Sequence, residues 1–304
     1  MDRIDTMRLF LRVVERRSFT AAAADLDLSR SVATAAVRRL EDRLGTTLLQ
    51  RSTRHVAPTP DGERFARHCA AILGAIEDAE AAFRPGEVSG LLRVDMHGGM
   101  ARGFVLPELG GFLARHPALR LHLGEGDRLV DLVREGVDCA IRGGQLPDSE
   151  LLSRRLGAVQ EITCASPDYL AGRGGAPESP DSLGGHAMVG FVSSRSGQVM
   201  PLEFGGGGAN DRPVRVVRLP ARVTVATAES ELAMARMGMG LAQLPVHRCA
   251  DALRTGALVE VLRDWRPPPM PIWLLFGRDR QHVPRVRAFS DWLEEAVVPK
   301  LRPA

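Results

Sequence analysis

The sequence predicts an α/β chain in two unlike parts: a mainly helical winged helix-turn-helix with a linker helix, then a larger α/β domain of two lobes. Three observations lead there. Residues 18–44, SFTAAAADLDLSRSVATAAVRRLEDRL, read as a helix, a tight turn and a second helix ending in arginines. Apolar residues between 65 and 83 recur at alternating spacings of four and three. From Gly90 onward, strand-like runs alternate with helical ones. At 304 residues the chain has length for two or three domains, each with its own core.

The first helix runs over about 4–16, with Met7, Phe10, Leu11 and Val14 on one face. Ser18 or Thr20 serves as cap for the second, whose alanines at 21–24 let another helix approach closely. Asp27 and Leu28 make the turn, and Ser29 is placed to cap the third helix by accepting from its free N–H groups. That helix puts Ala33, Val37, Leu40 and Leu44 on its buried face and stops at Gly45. Its opposite face carries Arg30, Ser31, Thr34, Ala35 and Arg38. TTLLQRSTRHVAPT then reads as two short strands around a basic tip, a wing bearing Arg51 and Arg54. A helix pair of this order lays its second helix in the major groove of DNA. Arginine pairs bidentately with guanine, while Ser and Thr meet bases or phosphates. The expected DNA-contacting set is Ser29, Arg30, Ser31, Thr34, Arg38, Arg51 and Arg54, with the motif proper over about 19–38.

Thr59 and Pro60 start a linker helix, cap followed by proline. Phe65, Cys69, Ile72, Ile76, Ala79 and Phe83 form a heptad seam suited to pairing with a second copy. The alternative is an amphipathic helix packed on its own domain. Arg84, Pro85 and Gly86 break it and begin a hinge. The predicted layout is a DNA-binding module over 1–59, a linker helix over 60–84, a hinge over 85–90 and the large domain over 91–304. In that domain the first lobe takes about 91–161 and 267–304, and the second about 162–266.

Charge follows this division. The net charge is +3, and residues 1–64 carry all of it with twelve Arg against nine Asp and Glu, leaving the rest neutral. A modest basic patch on a neutral body fits an appended DNA-binding module. No stretch approaches the roughly 18 apolar residues of a membrane helix, and the charged start MDRIDTMRLFLRVVERR is no signal peptide, so a cytoplasmic protein is expected.

In the large domain LLRVDM, LRLHLGEG and VDCAIRGG read as strands joined by helices, in a largely parallel sheet. Open α/β sheets hold ligands at the carboxyl ends of strands, beside helix N-termini. That rule picks out Gly98, Gly99 and Met100, then Gly143 and Gly144, and from the second lobe Ala226 and Thr227. Cys69, Cys139, Cys164 and Cys249 show no metal spacing and read as buried thiols, with a redox pair of Cys139 and Cys164 as the alternative. There is no GxSxG elbow, no HExxH and no phosphate loop, so neither an enzyme nor a metal or other cofactor is expected.

The chain resembles the LysR-type transcriptional regulators over nearly its whole length. The residues that carry the resemblance are Phe10, Val14 and 18–23 (SFTAAA), LSRSVATAAVRRLEDRLGTTLLQR and TPDGERF, then DRLVDLVREGVDCAIRGGQLPDS, CASPDYL, GMGLAQLP and LVEVLRDWRPPPMP. It implies a second domain like periplasmic binding proteins, with a small-molecule effector between its lobes. It also implies a homodimer or homotetramer on an inverted repeat in promoter DNA, with RNA polymerase as a further partner. Four positions depart from the family pattern. Ala35 stands where an arginine or other polar residue is frequent, Ala226 where Asn is, Leu202 where Trp is, and Gly98-Gly99 where a polar residue follows the first strand. Fewer side-chain donors point to an effector held by backbone N–H groups and apolar surface, or to no tightly held effector. The alternatives are a small-molecule binding protein with nonspecific DNA affinity and a redox-responsive regulator using its cysteines.

Overall fold

The structure, a computed structural model, describes residues 1–51, 56–81, 88–128, 130–146, 149–205 and 213–301, apart from the side chains at 51, 78, 81, 133 and 134. Arg54, Phe83, the hinge residues 85–87 and the side chain of Arg51 therefore lie outside the described residues.

Three helices build the N-terminal module. Helix α1 (Arg3–Arg16) is capped by Asp2, whose Oδ1 accepts from the Asp5 amide at 2.7 Å, and it buries Leu9, Phe10 and Val13. Helix α2 (Phe19–Ala24) is capped by Ser18, which accepts from the Ala21 amide at 3.3 Å, so Thr20 is not the cap. Asp27 turns the chain with φ of +53°, a left-handed conformation that Asp tolerates better than most residues. Helix α3 (Arg30–Leu44) buries Ala33, Ala36, Val37 and Leu40 and ends on Gly45 at φ +66°. Leu44 departs from the expected buried face and is 42% exposed. Leu48 and Leu49 close that end of the core instead, their amides held by Glu41 Oε1 at 2.9 and 3.0 Å. The wing strands are β1 (Leu49–Arg51) and β2 (Val56–Pro58), paired antiparallel.

Helix α4 (Pro60–Ala81) leaves the wing with the Thr59 hydroxyl accepting from the Gly62 amide at 3.0 Å. A Cβ at Gly62 would lie 1.9 Å from the Leu48 carbonyl oxygen, so this approach to the wing requires glycine. The heptad seam divides here. Phe65 packs edge-on against Phe10 at 5.4 Å between ring centroids, and Cys69 is fully buried in the same core. These two side chains are spent on their own domain, a correction to the single continuous seam. Ile72 is 44% exposed, Ile76 is half-buried and Ala79 is exposed.

The large domain opens with β3 (Gly90–Met96). A continuous helical segment follows: α5 (Gly98–Met100), a π turn over Ala101–Val105, and α6 (Leu106–Arg115). Then come β4 (Leu119–Glu125), α7 (Leu132–Glu135), β5 (Cys139–Gly143) and β6 (Leu152–Val159). The chain crosses into the second lobe through β7 (Glu161–Ala165), α8 (Pro167–Ala171), β8 (Met188–Phe191), β9 (Leu202–Phe204), β10 (Arg215–Val217) and β11 (Ala221–Val225). That lobe continues with α9 (Ala228–Arg236), β12 (Ala242–Pro245), α10 (Val246–Arg254) and β13 (Val259–Val261). The return passes through β14 (Met270–Phe276) and α11 (Pro284–Trp292).

The first-lobe sheet has the order β4-β3-β5-β14-β6. Its β3, β4 and β5 are parallel, but β14 runs antiparallel to both of its neighbours. Only part of the expected parallel sheet is therefore parallel, because the strand that returns from the second lobe enters from the opposite end. In the second lobe β12 and β13 flank β7 antiparallel, and β8 and β11 pair in parallel. Separate apolar clusters fill the lobes. At the crossing, Gln160 Nε2 donates to the Pro267 carbonyl at 3.0 Å, tying the outgoing strand to the returning one. Among the described residues no helix is long and apolar enough to cross a membrane.

Candidate DNA-binding surface and interlobe cleft

Helix α3 presents its outer face from a fixed start. Ser29 Oγ accepts from the Val32 amide at 3.2 Å and lies 2.9 Å from Ser31 Oγ, so these hydroxyls order the first turn. Arg30, Ser31 and Arg38 are exposed, and neither arginine has an ion-pair partner among the described residues. Thr34 donates its hydroxyl to the Arg30 carbonyl at 2.8 Å, which leaves lone pairs and a methyl group for an approaching groove. Val32, 44% exposed, and the exposed Ala35 sit among them. Sequence reasoning passed over Val32. An apolar residue exposed at the start of a helix otherwise lined with arginines and hydroxyls was the available signal.

The second candidate site is a cleft of about 340 Å³ between the lobes. Met100, Val189, Phe191, Met200, Leu202 and Ile272 supply apolar wall, while Asp127, Glu161, Glu203 and Glu231 supply carboxylates. Asp127 of the cleft wall, and Glu229 beyond it, are placed by contacts across the lobes. Asp127 Oδ1 meets His97 Nδ1 at 2.6 Å, and its Oδ2 accepts from the Ala228 amide, the first residue of α9, at 3.1 Å. Arg102 of the first lobe bridges Glu125 and Glu229, and Arg248 Nη2 meets the same Glu229 at 2.7 Å.

Burial sets the charge of the remaining groups. It opposes ionisation of Asp127, but the His97 and Ala228 hydrogen bonds win and hold its pKa below the usual carboxylate value. Among the described residues Glu231 has no such partner: burial, reinforced by the neighbouring Glu161 charge, pushes its pKa up to about 8 against the weaker opposing pull of Arg248. Burial, with Glu203 second, raises Glu161 to about 7. Burial beside Arg248 lowers His247 to about 4, leaving a neutral ring packed edge-on against Phe104 at 4.6 Å.

Comparison with known proteins decides between the readings of this architecture. Residues 4–63 match the bacterial regulatory helix-turn-helix proteins of the lysR family, and residues 85–298 match the LysR substrate binding domain. The chain belongs to the LysR family of transcriptional regulators. Among curated LysR relatives it is 37% identical to the HTH-type transcriptional regulator YhjC of Escherichia coli, over 96% of this chain and 97% of that one. It is 34% identical to an HTH-type transcriptional repressor of Pseudomonas aeruginosa, over 97% and 92%. The solved structure of CrgA, a LysR-type regulator from Neisseria meningitidis, is 29% identical with a TM-score of 0.56, covering 98% of both chains. The full-length Vibrio cholerae virulence activator AphB, at 24% identity and a TM-score of 0.60 over 96% of this chain and 98% of that one, shares the fold.

Within this LysR-type domain the expected effector positions divide. Met100, Gly143 and Gly144 line the cleft, whereas Gly98, Gly99, Ala226 and Thr227 are not among its lining residues. A Cβ at Gly99 would lie 2.6 Å from Nε of the largely buried Arg248, whereas Gly98 faces the movable ends of the Arg102 and Glu125 side chains. Thr227 instead caps α9, accepting from the Ser230 amide at 3.3 Å. Backbone donors expected to greet a ligand are engaged inside the protein, the Gly144 amide by the Pro271 carbonyl at 2.9 Å and the Ala228 amide by Asp127. The wall is richer in ionisable side chains than the sequence reading allowed, through Glu161, Glu231 and Asp127.

The suggested cysteine pair is not assembled. Cys139 lies in the first-lobe core and Cys164 in the second, in the same apolar cluster as Cys249 of α10. All four thiols are buried, and burial raises Cys69 to about 12 and moves Cys139 upward as well, away from the reactive thiolate.

Proposed function

We propose that this LysR-type regulator reads an inverted repeat in promoter DNA through α3, and that a small molecule in the interlobe cleft sets how the paired modules sit on that repeat. The observation that carries this reading is the capped helix α3, with Arg30, Ser31 and Arg38 exposed and ordered from Ser29 onward. Arg30 reads a guanine edge; Ser29, Ser31, Thr34 and Arg38 position the helix on phosphates and neighbouring bases. Arg51 and Arg54 bring the wing to the backbone or the minor groove. Val32 and Ala35 supply apolar contact to thymine methyl groups, which accounts for the absence of a polar residue at 35.

Pairing runs through the exposed part of α4, around Ile72, Ile76 and Ala79, in a homodimer or a dimer of dimers. The two recognition helices then meet half-sites about 34 Å apart. Effector binding acts by favouring one arrangement of the lobes, since a ligand shifts an equilibrium only through different affinities for its two states. RNA polymerase is the partner that reads the outcome. Genome-wide mapping of bound DNA tests the proposal. Bound sites should fall upstream of genes and share an inverted repeat; sites scattered without a common sequence would overturn it.

A further inference from the structure

Taking the cleft to be the effector site, we propose that its ligand is an organic cation: a protonated amine on a compact apolar body, with Glu231 and Glu161 receiving the ammonium group.

The place where such a fold would hold an anion is already filled. A helix N-terminus offers free amides and a partial positive charge to an anionic ligand. At α9 the Ala228 amide is taken by Asp127, a carboxylate supplied by the opposite lobe. A carboxylate ligand arriving there would have to displace Asp127, which His97 also holds, at 2.6 Å.

The wall left open is acidic. Glu231 projects from the buried face of α9 beside Ala228 and Ala235, is 5% exposed and lines the cleft. Its carboxyl has no hydrogen-bond or ion-pair partner among the described residues, and neither has that of Glu161 at the start of β7. A buried carboxyl left without a donor is costly, so a ligand that brings N–H groups and positive charge gains what the empty wall lacks. The groups facing Glu231 are Glu161 on β7, Asp127 from the first lobe and Arg248 on α10. Arg248 is the one cation among them, and its guanidinium is held by Glu229 at 2.7 Å. His247, on the same helix, is neutral. Four acidic side chains therefore line the cleft with one guanidinium, itself held by Glu229, among the described residues. Met100, Val189, Phe191 and Ile272 receive the apolar body.

The test uses the full chain at pH 8, thermal unfolding as readout, and size-matched probes at millimolar concentration. Phenethylamine and 1,5-diaminopentane are compared with 3-phenylpropanoate and glutarate. The amines should raise Tm by several degrees and the anions should not. The amine shift should fall at least tenfold in apparent affinity in Glu231→Gln and persist in Glu231→Asp, which keeps an ionisable carboxyl. Met200→Trp, a substitution at a half-exposed cleft position, tests where a probe binds. If the anions stabilise and Met200→Trp abolishes their effect, the cleft remains the effector site and the cationic assignment is wrong. An amine shift that survives both Glu231→Gln and Met200→Trp comes from elsewhere and overturns the cleft reading as well. Absence of any amine shift overturns the cationic assignment.

Discussion

Asp127 in the first lobe accepts a hydrogen bond at 3.1 Å from the backbone amide of Ala228, the residue that opens α9 in the second. The contact joins the lobes and occupies the positive end of a helix with the protein's own carboxylate. Replacing Asp127 with Gly should therefore do two things. It should loosen the pair of lobes, seen as a larger radius of gyration for the full chain in solution scattering. It should also free the α9 N-terminus, so that sulfate raises Tm in the variant by more than in the parent. An identical sulfate response in both would show that Asp127 does not guard that helix end.

Glu231 and Glu161 make stability depend on pH. Their folded pKa values, about 8 and about 7, lie above the ordinary glutamate value of 4.5. The folded state therefore keeps protons that the unfolded chain has released. Its advantage is fully present below about pH 4.5 and is lost as pH rises through 7 to 8. Glu231→Gln, neutral throughout, should flatten the fall in unfolding free energy between pH 5 and pH 9. At pH 9 it should be more stable than the parent by roughly 2–4 kcal/mol. Parallel pH profiles for the two proteins would contradict the burial of this carboxyl.

On α3, Arg30→Ala should weaken binding to the specific site by about 1–3 kcal/mol and leave nonspecific affinity nearly unchanged, measured by titration at fixed salt. Equal losses on both DNAs would make Arg30 a phosphate contact.

Val32→Ser should relax the preference for thymine at one position of each half-site, measured by selection from a randomised duplex pool. An unaltered preference profile would remove the methyl-contact role.

Helix α4 separates packing from pairing along its length. Phe65→Ala removes a ring from the helix-turn-helix core and should lower stability by about 3 kcal/mol. Ile72→Glu, at an exposed position, should leave monomer stability within about 0.5 kcal/mol and dissociate the oligomer in sedimentation. If Ile72→Glu leaves the assembly intact, pairing runs through another surface.

The helix-turn-helix was legible because its determinants are local. Ser29, three residues before Val32, announces a cap, and Ala33, Val37 and Leu40 announce a face. Leu44 misled because the helix outruns the core, and Leu48 and Leu49 return to fill the end. Phe65 and Cys69 misled for a different reason: heptad spacing marks a buried stripe without saying whose side chains bury it. The cleft was legible only in outline. Glycines 98 and 99 read as a ligand cradle, but Gly99 makes room for Arg248, a cause invisible without three-dimensional neighbours. Glu231 carried one readable signal, its spacing from Ala228 and Ala235 on the inward face of α9, and Glu161 carried none.

Sequence-specific binding through α3 is tested most directly by a footprint of the purified 304-residue chain on its own upstream DNA, at physiological salt with excess unrelated competitor. Two protected half-sites are expected on one face of the duplex, with centres about one helical turn or a whole number of turns apart. Uniform protection, or protection that the competitor removes as readily as the site's own duplex, would contradict sequence-specific binding through α3.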